Sequence, residues 1–267
     1  MIMKKPALII VLFSASCVAP RVSITNVNST NTIVDGKIFA TAYQQRAAEY
    51  RALCYQAFNI ARLRVDQKNM EKSEKPKAIM TDIDETILNN SPYEVHQLLQ
   101  GKDFESASWN AWTAMGNADT MPGALHFLQY AAALGIEIFY VTNRAESERE
   151  GTLKNMKKFN FPNANNEHLL LKGKESSKEG RKQSIAAKHS IVLLMGDNMN
   201  DFSNLFEKKN PDDRMNVVNS SAAEFGNRFI VLPNPVYGDW ESALYHFNYF
   251  LTPAQKDSVI KVSLYSY

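Results

Sequence analysis

Two aspartates, Asp82 and Asp84, stand two residues apart directly after an apolar segment of the chain. While the backbone stays extended, residues i and i+2 point to the same side, so the two carboxylates would share one crevice. Ile83 between them and Leu88 after them favour a site framed by core over a polar loop. The alternative is a turn or a helix N-cap, where Asp is also common.

A second acidic segment contains Asp197 and Asp201 and also follows an apolar run. Carboxylate oxygens at a strand end suit Mg²⁺, which binds one or two carboxylates together with waters and substrate phosphate. An ordinary Gly-Asp-Asn turn is the alternative. Two acidic clusters at the ends of strands of one sheet are much less expected by accident, and together they predict a magnesium site for phosphoryl chemistry.

A phosphoryl-transfer site also needs groups that hold phosphate oxygens. Thr142 offers a hydroxyl and Asn143 a backbone N–H at the end of another apolar run. Lys178 lies in the first turn of a predicted helix, where helix N-terminal amides already favour anions. The alternative for Lys178 is a solvated side chain, as expected for its neighbours Lys172, Lys174 and Lys182.

Short apolar runs alternate with segments of helical periodicity, which predicts βαβ units and a three-layer α/β domain with a parallel sheet. In such a sheet, ligands bind at the carboxyl ends of the strands, where the polar residues above are placed. The predicted strands are 78–80, 136–141, 169–171, 191–195 and 229–232. The predicted helices are 37–66, 122–134, 146–159, 176–188, 240–250 and 253–262.

The N-terminus predicts export. Lys4 and Lys5 precede an apolar run at 6–13, small residues follow, and then Cys17. This pattern predicts a lipoprotein signal peptide at 1–16 with a lipid on Cys17, and the alternative is a soluble secreted protein. The Asn-, Ser- and Thr-rich segment predicts a flexible tether over 17–36, before a domain at 37–267.

Charge and cysteine content argue against a protein that binds nucleic acid polymers and against one that is stabilised by an intramolecular disulfide. The net charge of the 267 residues is +2, and the basic residues are scattered, which argues against binding of a nucleic acid polymer. The chain has only two cysteines. With Cys17 lipidated, Cys54 has no disulfide partner, and its apolar helical context predicts a buried structural thiol.

The motifs together resemble those of the haloacid dehalogenase (HAD) superfamily. The segments that carry the resemblance are Asp-Ile-Asp-Glu-Thr at 82–86, Val-Thr-Asn-Arg at 141–144 and Gly-Asp-Asn-Met-Asn-Asp-Phe at 196–202. With Met-Pro-Gly-Ala at 121–124 and Leu-Pro-Asn-Pro-Val-Tyr-Gly-Asp-Trp at 232–240, the chain more narrowly resembles class C nonspecific acid phosphatases, which are bacterial lipoproteins. The resemblance implies a Rossmann-like HAD fold with a smaller helical, cap-like part at about 90–120.

The resemblance also implies roles for the four acids. Asp82 would be the nucleophile that forms an aspartyl-phosphate, and Asp84 the general acid and base. Mg²⁺ would be held by the Asp82 carboxylate, the Asp84 backbone carbonyl and Asp197, with waters. Asp201 would orient a metal-bound water and the lysine that binds phosphate.

For the substrate, the resemblance implies that Thr142, Asn143 and Lys178 clamp the phosphoryl oxygens. Tyr237 stands at a position that resembles the family's aromatic residue for base stacking, and Trp112 is a second candidate. The alternative for both is an ordinary core aromatic.

The function expected from the resemblance is that of a Mg²⁺-dependent acid phosphatase, a phosphoric monoester hydrolase for small esters that include nucleoside 5′-monophosphates. The expected location is the cell envelope, with a lipid anchor in the outer membrane, and a homodimer is a further expectation. Two alternatives stay open at this point. They are a phosphotransferase on the same fold and a surface-binding lipoprotein without activity.

Overall fold

A computed structural model describes residues 32–267 of the chain. The predicted signal peptide, the lipid site at Cys17 and most of the predicted tether lie outside these residues. None of the described helices is both long and apolar enough to cross a membrane.

A five-stranded parallel sheet forms the centre of the described chain, in the order β5-β4-β1-β6-β7. A separate antiparallel pair joins β2 to β3. The strands are β1 (Lys77–Thr81), β2 (Leu88–Asn89), β3 (Asp119–Thr120), β4 (Glu137–Val141), β5 (Leu169–Leu170), β6 (Ser190–Gly196) and β7 (Phe229–Val231).

The helices cover both faces of this sheet and build the part between β2 and β3. They are α1 (Thr32–Arg46), α2 (Ala48–Met70), α3 (Ser91–Leu98), α4 (Ser106–Met115), α5 (Ala124–Ala133), α6 (Arg149–Lys158), α7 (Glu179–Lys188), α8 (Pro211–Ser220), α9 (Asp239–Leu244) and α10 (Pro253–Ser263). The 3₁₀ turns are Glu146–Glu148, Met199–Asp201, Asn204–Phe206 and Ala222–Glu224.

Alternating side chains of the strands divide the core into two layers. Ile79 of β1 and Ile138 of β4 pack with α2 and α5, whereas Met80 and Phe139 pack on the other face with Ile185 of α7. Successive strand residues point to opposite faces, so each apolar run of the sequence supplies both layers. The predicted three-layer α/β fold, with a smaller helical part, is confirmed.

The chain leaves β1 for β4 and β5 on one side and then crosses to β6 and β7 on the other. The carboxyl end of β1 is therefore the topological switch point, where open α/β sheets bind ligands. Asp82 is the first residue after β1, Thr142 follows β4, and Asp197 follows β6. The order of the strands thus brings the three motifs to one edge.

The helices differ from the sequence-based expectations in three places. The single helix predicted for 37–66 is divided into α1 and α2 at Ala47, because this residue has an extended backbone with φ −82° and ψ 128°. Helix α1 begins at Thr32, within the predicted tether, because Ile33 and Val34 are buried rather than solvated. The helix predicted for 240–250 ends at Leu244, since His246 and Phe247 adopt φ values of 50° and 57°, which an α-helix does not allow. Cys54 is buried in the core of α2, as predicted.

Candidate active site

Three carboxylates converge at the switch point. One carboxylate oxygen of Asp82, one of Asp197 and one of Asp201 lie within 4.8 Å of one another. Asp82 is buried after β1, and Asp201 is buried in the 3₁₀ turn that follows β6. The two acidic segments of the sequence therefore form one cluster, as their positions at neighbouring strand ends predict.

Gly196 lets Asp201 fold back onto the end of β6. A Cβ atom at position 196 would lie 2.2 Å from Oδ2 of Asp201, so any other residue there would displace the carboxylate. That same Oδ2 accepts a hydrogen bond of 3.0 Å from the backbone N–H of Asn198. The glycine of the Gly-Asp-Asn motif is thus required for the position of Asp201.

Lys178 is the cation within this cluster. It lies immediately before α7 and is buried, and its Nζ donates to Asp82 and lies 2.6 Å from Oδ1 of Asp201. Burial would lower the pKa of Lys178, but the charges of Asp201 and Asp82 outweigh burial and raise it. The lysine is therefore held protonated beside the proposed nucleophile.

One lysine does not neutralise three carboxylates. Burial, together with the charges of Asp201 and Asp84, raises the pKa of Asp82 to about 7 against the opposing effect of Lys178. Burial and the neighbouring acids also raise the pKa of Asp197 well above its usual value. An excess of buried negative charge, carried by oxygen ligands, suits a hard divalent cation. The residues present therefore fit a divalent metal ion.

The Asp84 carboxylate lies outside this cluster and pairs with Arg144. The guanidinium makes three hydrogen bonds of 2.7, 3.1 and 3.2 Å to the Asp84 oxygens, and Nδ2 of Asn90 adds one of 2.8 Å. Arg144 is 3% exposed. It is not among the site residues predicted from sequence, although it stands in the Val-Thr-Asn-Arg motif at the end of β4. The sequence feature that could have identified Arg144 is its position just after a buried strand. An arginine that is buried there needs a carboxylate partner.

Replacing Arg144 with Met is expected to lower the free energy of unfolding by roughly 3–5 kcal/mol, because removing one partner leaves a shielded charge uncompensated. Urea denaturation would measure the change. The control is Lys68→Met, which breaks a pair with Glu71 whose side chain is 58% exposed. That variant is expected to lose less than about 1 kcal/mol. Equal losses in the two variants would contradict the assignment.

The two residues predicted to clamp phosphate after β4 are placed differently. Thr142 is fully buried, and its hydroxyl accepts from the N–H of Arg144 at 3.1 Å and lies 3.5 Å from Oδ2 of Asp84. Asn143 lines the cavity at the strand ends, and its Oδ1 accepts a hydrogen bond of 2.8 Å from Arg181. Asn143 thus faces the cavity, whereas the Thr142 side chain supports the Asp84–Arg144 pair.

A cavity of about 460 Å³ opens over these residues. Its wall includes Asp82, Asp84, Asp197, Asp201, Lys178, Asn143 and Arg144, and also Trp109 and Tyr237. The four acids and two of the three predicted phosphate anchors thus face one space. Its volume has room for a substrate of small-molecule size.

The two predicted substrate aromatics differ in position. Tyr237 lines the cavity, and its hydroxyl donates to the buried Glu85. Trp112 is not a lining residue in the described chain, because its indole N–H donates to Oδ1 of Asn90 at 2.9 Å and its ring packs on the core. The tryptophan of α4 that does face the cavity is Trp109, whose ring centroid is 5.7 Å from Cζ of Arg144.

Glu85 is a buried acid at the site that the sequence prediction did not include. It is fully buried beside Asp84, and burial together with the Asp84 charge raises its pKa to about 8. The N–H of Asn90 donates to its Oε1 at 2.7 Å, and Tyr237 donates to Oε2. Glu85 thus connects the segment after β1 to the aromatic wall of the cavity.

The sequence model of the HAD superfamily, subfamily IIIB (acid phosphatase), matches residues 5–240. Among curated proteins, the chain is 26% identical to acid phosphatase 1 of Solanum lycopersicum over 164 residues, and 25% identical to the stem 31 kDa glycoprotein of Glycine max over 161 residues. Each alignment covers 58% of this chain, and they cover 56% and 57% of the two plant proteins. The chain thus spans little more than half the length of these relatives.

Solved structures give a fuller match. The class C acid phosphatase from Bacillus anthracis is 37% identical, with a TM-score of 0.85, and the alignment covers 88% of this chain and 99% of that one. A second structure of that enzyme, with tungstate bound, is 38% identical at the same TM-score, with 88% and 98% covered. The acids at the strand ends, the sheet that positions them and both kinds of match lead to one conclusion: the chain belongs to the class C acid phosphatases, in subfamily IIIB of the HAD superfamily.

Proposed function

We propose that this protein hydrolyses small phosphate monoesters with Asp82 as its nucleophile. The observation that carries the proposal is the position of Asp82, which lies at the switch point of the sheet within reach of a buried lysine and two further acids. The family supports this reading. Tungstate, which binds to the B. anthracis enzyme, is an oxyanion like phosphate.

In the proposed reaction, the Asp82 carboxylate attacks phosphorus and the bond to the ester oxygen breaks. Asp84 gives its proton to the departing alkoxide, so that the alcohol leaves neutral. A water molecule then attacks phosphorus, and Asp84 takes its proton while the bond to Asp82 breaks. Inorganic phosphate is released and both aspartates return to their initial state, so one difficult displacement is divided into two easier ones.

The other residues hold the reacting groups in place. Lys178 already lies beside Asp82, where its charge can balance that of a phosphoryl oxygen. Arg144 and Asn90 fix the Asp84 carboxylate, and Asn143 offers polar groups in the cavity wall. These contacts supply the positioning and electrostatic stabilisation on which phosphoryl transfer depends.

Mg²⁺ is the proposed cofactor, and the Asp82 and Asp197 carboxylates and the Asp84 carbonyl would hold it, with Asp201 nearby. When bound, it would neutralise charge between an anionic nucleophile and an anionic substrate. Asn234 and Thr86 fix the Asp197 carboxylate, with hydrogen bonds of 2.8 and 3.3 Å.

Removal of divalent metal with EDTA is expected to abolish phosphate release, and added Mg²⁺ is expected to restore it. Asp197→Asn is expected to raise the Mg²⁺ concentration needed for half-maximal activity by at least about tenfold. Added Mg²⁺ should also raise the Tm of the wild type more than that of the variant, by mass action. Full activity after exhaustive metal removal would contradict the cofactor assignment.

The proposed function is tested with a panel of phosphate monoesters and colorimetric measurement of released phosphate. Hydrolysis by the wild type, in the absence of added alcohol, supports the phosphatase. Product formation only with an acceptor alcohol such as glycerol would instead show a phosphotransferase. No turnover of any ester would contradict both and favour a binding protein.

Nucleoside 5′-monophosphates are the proposed substrate class, because the aromatic rings of Tyr237 and Trp109 line the cavity and could stack on a base. Export with a lipid on Cys17, anchorage in the outer membrane and a homodimeric state also stay proposals. A Cys17→Ser variant that still fractionates with membranes would contradict the lipid anchor.

A further inference from the structure

A second charged cluster lines the same cavity and comes from helices rather than from the ends of the sheet strands. Lys37 of α1 forms ion pairs of 2.9 Å with Asp103 and 3.1 Å with Glu241 of α9. Glu94 of α3 lies beside these three residues, and the charges of all of them act on it. All four side chains line the cavity. Three carboxylates and one ammonium leave an excess of negative charge in this part of the wall.

Glu94 differs from the other two carboxylates because it has no partner in the described part of the chain. Lys37 is engaged by Asp103 and Glu241, and within residues 32–267 no hydrogen bond or ion pair reaches the Glu94 carboxylate. Yet Glu94 is only 7% exposed. Buried carboxylates in proteins are normally hydrogen-bonded, and for Glu94 the remaining source of a partner is the cavity that it lines, through water or a bound ligand. Burial accordingly raises the pKa of Glu94 to about 7.

The position of Glu94 indicates what would partner it. The phosphoryl group of a substrate must lie at Asp82, so the alcohol part of the ester occupies the remainder of the cavity, where Glu94 is part of the wall. A hydrogen-bond donor or a cation beside Glu94 would favour its ionised form, which accepts hydrogen bonds and does not donate them. The substrate group that binds the Glu94 carboxylate is therefore a hydrogen-bond donor, such as a hydroxyl or an ammonium.

We propose that Glu94 is a specificity-determining residue that accepts a hydrogen bond from a hydroxyl or ammonium group on the alcohol part of the substrate. The inference rests on the proposed phosphatase function and adds to it a second point of recognition, on the alcohol part of the ester. Esters of polyols and amino alcohols are then preferred over esters of alcohols that lack a donor.

The test compares pairs of esters that differ only in the donor. Adenosine 5′-monophosphate against its 2′,3′-dideoxy analogue tests hydroxyl recognition, and a series of ω-aminoalkyl phosphates against the matching alkyl phosphates tests ammonium recognition. The wild type should show a higher kcat/KM for the donor-bearing member of at least one pair. Glu94→Leu, which removes the acceptor at similar size, should lower that kcat/KM by about tenfold or more and leave the donor-free member unchanged.

Glu94→Gln provides a second, nearly isosteric variant. It keeps a neutral acceptor, so it should retain part of a hydroxyl preference and lose an ammonium preference. Glu105→Leu is the matched control, because Glu105 is an exposed acid from the loop that follows α3 and does not line the cavity within the described chain. Thermal unfolding of each variant would verify the fold.

The outcomes separate this inference from the proposed function. Unchanged preference in both Glu94 variants, or a wild type that hydrolyses both members of every pair equally, would overturn the role of Glu94 and leave the phosphatase intact. A wild type that hydrolyses no ester would overturn both. Loss of preference in either pair supports the inference and identifies the donor.

Discussion

Asp82→Asn is expected to lower kcat for every phosphate monoester by at least about 10⁴-fold, the scale of losses seen when a covalent nucleophile is removed. The amide keeps the size of the side chain but cannot form the aspartyl-phosphate. Single-turnover and steady-state measurements of phosphate release would show the loss in kcat with a modest change in KM.

Folding and substrate binding must survive for this result to be informative. Asparagine keeps an oxygen that accepts from Lys178, so circular dichroism and Tm should match the wild type. Asp212→Asn is the control, since Asp212 is an exposed acid in the first turn of α8 and should leave kcat unchanged. Activity of Asp82→Asn close to that of the wild type would overturn the nucleophile assignment.

Asp84→Asn is expected to show a loss that depends on the leaving group. For alkyl phosphates, whose alkoxide needs a proton, kcat should fall by about 10²–10⁴-fold. For p-nitrophenyl phosphate, whose phenolate leaves without a proton, the loss in the first step should be much smaller. Burst kinetics would separate formation of the aspartyl-phosphate from its hydrolysis, which should be slow for both esters because the base is also removed.

This variant has an internal control in the contacts of Asp84. The amide oxygen can still accept from Arg144 and Asn90, so the variant should fold, and tungstate should inhibit it with an affinity similar to that for the wild type. An equal loss in the first step for alkyl and aryl esters, with tungstate affinity also lost, would show that Asp84 only holds Arg144 in place.

The parallel sheet and its catalytic edge were predictable because their signals are local. Apolar runs mark the strands, and the acid that follows each strand is placed by the sheet itself, as for Asp82 and Asp197. The assignment of Lys178 needed the resemblance. Nothing in the spacing of the lysines separates it from Lys182, which instead lies 2.6 Å from the carboxylate of Glu179.

Partners that come from distant segments could not be predicted. Arg144 meets Asp84 across two strands, and Glu85 meets Tyr237 from the far end of the chain. Periodicity shows which face of an element is apolar, but not which residue of another element lies opposite a given side chain. Which tryptophan of α4 faces the cavity depends on the rotation of this short helix, whose first turn has no side-chain cap.

Helix boundaries near the two ends of the domain were harder to predict from sequence, because they depend on tertiary packing and on backbone conformation. The segment before residue 37 is polar in composition, and its assignment as a tether ignored two apolar residues, Ile33 and Val34, that tertiary packing buries. The end of α9 depends on two residues with positive φ, His246 and Phe247, neither of which is a glycine that would have marked the stop.

The cavity wall is formed by two kinds of element, strand ends and peripheral helices. Substrate preference and reaction chemistry can therefore change separately. The proposed nucleophile and its supporting acids follow β1 and β6 of the central sheet, whereas Lys37, Glu94 and Glu241 belong to peripheral helices. Substitutions in those helices can alter which alcohol is accommodated without displacing the reacting groups. In directed evolution toward a new ester, we expect mutations that raise activity to fall in α1, α3 and α9, and mutations that abolish activity to fall at the strand ends.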